Sequence, residues 1–195
     1  MIDKKYELSN PEEYVSKYKW LYESHMSRKE FIDLVEKLWQ DEDEVGLVFL
    51  GNKLRAGKFT WLTDELIIDG SYRGFKAELA VEEYFRTNGT PFEYDSEYHD
   101  DIQLVNGFWD PKRAEKILAN TNSCDLILGG HIRADIKSYQ KVITHPADVF
   151  LENAVRFRED EISRKNLDIL IVVDKANHAF FVDCDSRKCI KEILL

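Results

Sequence analysis

Cysteine is scarce, long apolar runs are missing, and positive charge is in deficit; each shortage closes off a class of protein. Three cysteines, Cys124, Cys184 and Cys189, stand among 195 residues, an odd and sparse set that makes no disulfide framework. Together with His178, Cys184 and Cys189 still lack the four ligands at recognised spacing that a zinc site requires. No apolar stretch approaches the roughly 20 residues needed to span a bilayer. The opening MIDKKYELSNPEEY lacks the apolar segment of a secretory signal. A reducing cytoplasm and no membrane partner are therefore expected. Lys and Arg total 27 against 37 Asp and Glu, for a net charge of −10. That balance argues against indiscriminate coating of nucleic acid, although local cations suffice to hold phosphate. Part of the acidity is a run at Asp41 to Glu44, which reads as solvated surface.

What is present is an ordinary globular mixture, 44% hydrophobic and 33% charged, with no internal repeat or low-complexity tract. The length suits one core with an extension. Residues 1–70 read as a mainly helical extension. PEEYVSKYKWLYESH sets Tyr14, Tyr18, Leu21 and Tyr22 at helical spacing. Ser27 then offers an N-cap to RKEFIDLVEKLWQ, with Glu30 as its capping-box partner and Phe31, Leu34, Val35, Leu38 and Trp39 as the apolar stripe. VGLVFLGNKLRAGKFTWL carries three glycines, which argue against one continuous element.

Residues 71–195 read as an α/β core. GFKAELAVEEYFRTNG is a helix stopped by Asn88 and Gly89, with Pro91 just beyond. PFEYDSEYHDD offers a first strand, and WDPKRAEKILANT a short helix with Pro111 in its first turn. CDLIL and HIRADIKSYQ are strands around Gly129 and Gly130. HPADVFLENAVRFRE is a second helix entered through Pro146; LDILIVVD and HAFFVDCD are two further strands.

The strand HIRADIKSYQ alternates: Arg133, Asp135, Lys137 and Tyr139 share one face, and Ile132, Ala134, Ile136 and Ser138 the other. One wet face on an antiparallel strand would explain that pattern by itself. The neighbouring strand changes the reading. In CDLIL, Cys124, Leu126 and Leu128 share a face opposite Asp125 and Ile127. A two-residue loop would set Asp125 against Ala134 and place the two aspartates on opposite faces. A three-residue loop keeps the apolar side chains together, for instance Leu126 with Ile132 and Cys124 with Ala134, and brings Asp125 to the face of Asp135. Gly130 is suited to the left-handed position such a loop requires.

Adjacent like charges repel, so two carboxylates on one sheet face are costly as pure structure. A divalent cation removes the conflict. Magnesium takes oxygen ligands, keeps several waters and engages phosphate; it also activates bound water and neutralises charge in the transition state. Lys137, two residues from Asp135, is placed to orient that water or to stabilise developing charge. Glu78 lies in the helical stripe of Phe75, Val81 and Phe85, where it serves either as a metal ligand or as the partner of a buried Arg. Glu82 and Glu83 read as the solvated acids of that helix.

Asp125, the triplet Asp135-Ile136-Lys137, and Glu78 within GFKAELAVEEYF together resemble the PD-(D/E)XK nuclease superfamily. The resemblance covers residues 74 to about 183 and departs at Cys124, where the group has proline. It implies a restriction-endonuclease-like core, a central mixed sheet flanked by helices. It further implies that Asp125, Asp135 and Glu78 bind Mg2+, with Mn2+ able to substitute, and that Lys137 assists catalysis. The expected activity is metal-dependent phosphodiester hydrolysis, on DNA rather than RNA. Cutting both strands would favour a homodimer, since two strands need two sites. The alternatives are a nucleic-acid-binding protein of this fold without turnover and a protein-interaction module.

Lesser signals surround this centre. Lys53, Arg55 and Lys58 with Phe59 and Trp61 suit phosphate contact and base stacking, or a loop that packs its aromatics inward. Tyr139 and Gln140 follow the triplet and are candidates to touch substrate. His131 and His145 read as partly exposed structural histidines. Arg156, Arg158, Arg164 and Lys165 form a basic group whose place near a helix end is explained by the helix dipole.

Overall fold

A computed structural model of the protein describes residues 17, 25–55, 64–96, 102–103, 123–145 and 159–195. Contacts divide the chain into two compact units, Met1–Asp69 with Asp101–Trp109, and Gly70–Asp100 with Asp110–Leu195. Residues 101–109, expected within the core segment, group with the first unit.

In the first unit, β1 (His25–Met26) pairs antiparallel with β3 (Ile102–Gln103). Helix α1 (Arg28–Gln40) starts where expected. Ser27 accepts from the Glu30 N–H while the Glu30 carboxylate accepts from the Ser27 N–H, a complete capping box. Phe31, Val35 and Leu38 are buried, joined by Ile32 and Arg28. Trp39, expected in that stripe, is 40% exposed. Helix α2 (Glu44–Arg55) runs through Gly46 and Gly51. Glycines suggest a break, but Gly costs a helix only about 1 kcal/mol relative to Ala. The run Val48, Phe49, Leu50 outweighs it, with Phe49 and Leu50 in the core. The helix proposed around Tyr14 to Tyr22 lies outside the described residues except for Lys17, which is helical.

Helix α3 (Asp64–Thr87) begins ten residues before the expected start at 74, with its last 18 residues in the second unit. The second unit is built on a six-stranded mixed sheet. Its strands are β2 (Phe92–Glu93), β4 (Leu126–Leu128), β5 (Ile132–Ser138), β6 (Ile169–Val173), β7 (His178–Asp183) and β8 (Lys188–Leu194), in spatial order β2-β4-β5-β6-β7-β8. Among the described strands, only β5 and β6 run parallel. Between them in sequence lies α4 (Glu159–Lys165). Strand β6, near the middle, is apolar throughout because both of its faces are covered: Ile171 and Val173 enter one core cluster, and Leu170 and Val172 the other. The first cluster takes Ala77, Val81 and Phe85 of α3 against Leu126, Leu128, Ala134 and Ile136. The second holds Cys124, Leu167, Phe180 and Val182, with Ile162 of α4 and Tyr139 packed against it. Strand β8 goes beyond the expected elements; KCIKEIL is an edge strand with a bulge and largely exposed. The helix expected from Pro111 lies outside the described residues. So does most of the one expected from Pro146.

All three cysteines are free. Burial pushes the Cys124 and Cys184 thiols up to about 11, so neither supplies appreciable thiolate near neutrality. Cys189, on β8, is partly exposed. At pH 8 a thiol reagent is therefore expected to modify Cys189 first, and Cys124 and Cys184 only on unfolding. Simultaneous labelling of all three in the native protein would contradict this packing.

Candidate functional site

The β4–β5 hairpin organises the site. Leu128 stands opposite Ile132, which leaves a three-residue loop of Gly129, Gly130 and His131. Both glycines have positive φ, 57° and 78°, where a Cβ would be strained. His131 adds a ring-nitrogen contact of 2.9 Å with the Gly129 carbonyl, a local structural role. Loop length is as expected, but the pairing is displaced by two residues: Leu126 faces Ala134 rather than Ile132. A two-residue displacement preserves the faces. Cys124 is the exception, packing in the cluster opposite Leu126 and Leu128. The chain bends at Asp125, so strict alternation stops there.

That bend gives Asp125 its position. The β4–β5 ladder ends at Leu126 opposite Ala134, and the Ile136 N–H beyond it donates 2.7 Å to Asp125 Oδ2. The carboxylate stands where a further ladder carbonyl would otherwise accept. Burial raises the Asp125 pKa, and the nearby charge of Asp135 adds to the effect; Lys137, the Ile136 bond and Lys165 oppose them.

Asp135 is fully buried on a central strand. Its neighbours Ala134 and Ile136 face the cluster under α3, so Asp135 and Lys137 face the α4 side. Lys137 Nζ lies 2.5 Å from Asp135 Oδ2 and 3.0 Å from Glu161 Oε1. Lys165 Nζ lies 2.8 Å from Asp135 Oδ1 and 3.4 Å from Glu161 Oε1. Each oxygen of Asp135 thus meets one ammonium group, Oδ2 that of Lys137 and Oδ1 that of Lys165. Burial works to lower the Lys137 pKa, but Asp135, Asp125 and Glu161 outweigh it and hold the ammonium firmly protonated.

Arg133 braces this arrangement. Its Nε donates 2.8 Å to the Lys165 carbonyl at the end of α4, and its Nη2 donates 2.9 Å to Asp95 Oδ2. Asp95 Oδ2 also accepts from the Cys124 N–H at 2.9 Å. Burial opposes ionisation of Asp95, but these two bonds prevail and keep its pKa below the ordinary range. One guanidinium thus links the residue before Asp125 to the helix that delivers Lys165.

Of the expected residues, the structure brings together Asp125, Asp135 and Lys137. Glu78 is part-buried on α3, whose Ala77–Val81–Phe85 stripe packs on the sheet face opposite Asp135. Glu82, expected in solvent, is fully buried; it accepts from Tyr94 at 2.8 Å and Arg86 at 3.0 Å. Tyr139 packs against the α4-side cluster, and Gln140 is exposed. Lys53 and Arg55 fall in the last turn of α2, while Lys58, Phe59 and Trp61 lie outside the described residues. Sequence reasoning missed Glu161, Lys165 and Asp95 as neighbours of the centre. The Glu161–Lys165 pair shows the i,i+4 spacing of a helical ion pair, which was the available signal.

Among the described residues, no group of three or more His, Cys, Asp and Glu side chains is placed to hold a metal ion. No described helix is long and apolar enough to cross a membrane. Comparison of the chain with protein-family models, with curated proteins and with solved structures finds no match in any of the three.

Two opposite stability effects follow. Folding raises the Asp125 pKa above its ordinary 3.8. The native state therefore holds that proton more tightly, an advantage present at acid pH and lost as pH rises through the folded value. Ionised Asp125 is thus a liability at neutral pH. Asp125→Asn, which can still accept from Ile136, is expected to melt higher than the native protein at pH 7 in chelator, with the gain vanishing in acid. Asp135→Ala leaves two ammonium groups short of their partner and is expected to cost about 3 kcal/mol or more. Thermal melts across pH check both; a destabilised Asp125→Asn at pH 7 contradicts this electrostatic account.

Proposed function

We propose that the protein is a magnesium-dependent nuclease of the restriction-endonuclease-like type, cutting phosphodiester bonds in DNA. The observation that carries this reading is the meeting of Asp125, at the bend before β4, with buried Asp135 and with Lys137 on β5. Two carboxylates are driven together there with a cation beside them. The donor set fits a hard divalent ion. Both candidate ligands are carboxylates, and Mg2+ commonly takes only one or two protein carboxylates, completing its shell with water and phosphate. When bound, Mg2+ would supply an activated water and charge neutralisation at the phosphate.

The chain's own residues do the rest. Asp125 and Asp135 hold the ion, and the Ile136 N–H orients Asp125. Lys137 stays protonated and stabilises charge developing on the phosphate. Glu78 belongs to a helix that packs on the other face, so the core of the proposal is Asp125, Asp135 and Lys137.

A second reading has its own observation. Both oxygens of Asp135 already contact ammonium groups, an arrangement that also serves as a self-neutralised structural ion cluster in a binding or interaction protein.

Cleavage separates the two. Plasmid, linear duplex, single-stranded DNA and RNA are incubated with Mg2+ or Mn2+ and with chelator. Metal-dependent cutting of DNA is expected. Lys137→Ala should lower the rate on the order of 10²-fold or more, with little change in nucleic-acid affinity, which is spread over many cations. Unchanged cleavage by Lys137→Ala, or equal cleavage in chelator, refutes the mechanism. No cleavage of any substrate favours the structural cluster.

A further inference from the structure

Lys165 lies outside the triplet that suggests a nuclease, yet its side chain is only 9% exposed against 20% for Lys137. It reaches Asp135 Oδ1 at 2.8 Å and Glu161 Oε1 at 3.4 Å. Lys137 meets the same two acids from the strand side, at 2.5 Å and 3.0 Å. Each lysine touches both carboxylates, so the four side chains close a ring that is neutral by itself. Asp125 stands beside the ring as a further acid.

The two lysines differ in how they are held. Lys137 projects from a central strand, two residues from Asp135, and its backbone is fixed by the parallel pairing with Val172. Lys165 sits on the last turn of α4, one helical turn from Glu161. Rotation of its own side chain is enough to shift it from one acid to the other. A cation at Asp135 would meet two ammonium groups, of which one has a retreat already in contact.

We infer that Lys165 is an internal counterion, held on Asp135 in the metal-free protein and displaced onto Glu161 when a divalent cation binds. The inference rests on the metal-dependent reading above. It keeps a second cation on the buried Asp135 carboxylate before any metal arrives, beside the one supplied by Lys137. It also makes metal affinity the outcome of a competition for Asp135, set partly by α4. Arg133, by holding the Lys165 carbonyl, keeps the competing ammonium in range.

The test is Mn2+ binding by calorimetry, with no substrate and no activity readout. Lys165→Met keeps the stem and removes the charge, and is expected to bind Mn2+ about tenfold more tightly or better. Lys165→Arg keeps the charge and adds a planar fork that grips a carboxylate harder; it is expected to bind Mn2+ more weakly than the native protein. Asp135→Asn should abolish binding. If Asp135→Asn abolishes binding but Lys165→Met binds no more tightly than native, the counterion role is overturned and the metal site stands. Tighter binding by Lys165→Arg overturns it equally, and that variant decides alone if the Met variant fails to fold. If neither the native protein nor Lys165→Met binds Mn2+, the metal reading and the counterion role fall together.

Discussion

A buried carboxylate in the middle of a packed sheet dictates much of the second unit. Asp135 is fully buried on β5, where an isolated charge would shift its protonation or unfold the chain. Lys137 answers it from the same strand and Lys165 from α4. The second contact has consequences beyond charge: it requires the last turn of α4 to stay against the sheet. Arg133 and Asp95 then tie that turn to the chain entering β4. The parallel β5–β6 pair, the bend at Asp125 and the placement of α4 are mutually dependent through these few polar contacts.

Such networks are seldom the cheapest way to build a core. Well-packed apolar residues often do as well or better than a buried ion pair. In this sheet the ionic centre sits on the face of the second apolar cluster, with the first cluster behind it on the other face, and it crowds Asp125 against Asp135. Acids placed against electrostatic preference, with cations beside them, are a pattern more typical of sites than of scaffolds. Asp174 provides a contrast within the same protein. It is buried too, but it accepts from the N–H groups of Ile143, Ala176 and His178 and simply anchors the turn between β6 and β7.

Much of this was legible from residue order. The α1 capping box follows from local hydrogen-bonding chemistry, and the face shared by Arg133, Asp135, Lys137 and Tyr139 from strand alternation. The three-residue hairpin loop followed from matching apolar faces. Failures came where distant partners decide. Glu82 looked solvated because its partner Tyr94 lies twelve residues away across a turn. Cys124 escaped its predicted face because Asp95 binds its N–H and the chain bends at Asp125. Lys165 looked like an ordinary cation at a helix end, since nothing local reveals that the helix end meets Asp135. Strand β8 was hidden by its polar edge, and α2 by two glycines whose cost its apolar neighbours offset.

The claim on which everything functional depends is that Asp125 and Asp135 share one divalent cation. Anomalous scattering from a crystal of the native protein soaked in Mn2+ tests it directly. A shared ion predicts a peak within coordination distance of one carboxylate oxygen from each aspartate, with Lys165 turned away from Asp135. Full soaking with no peak there, and Asp135 still gripped by Lys137 and Lys165, would contradict it.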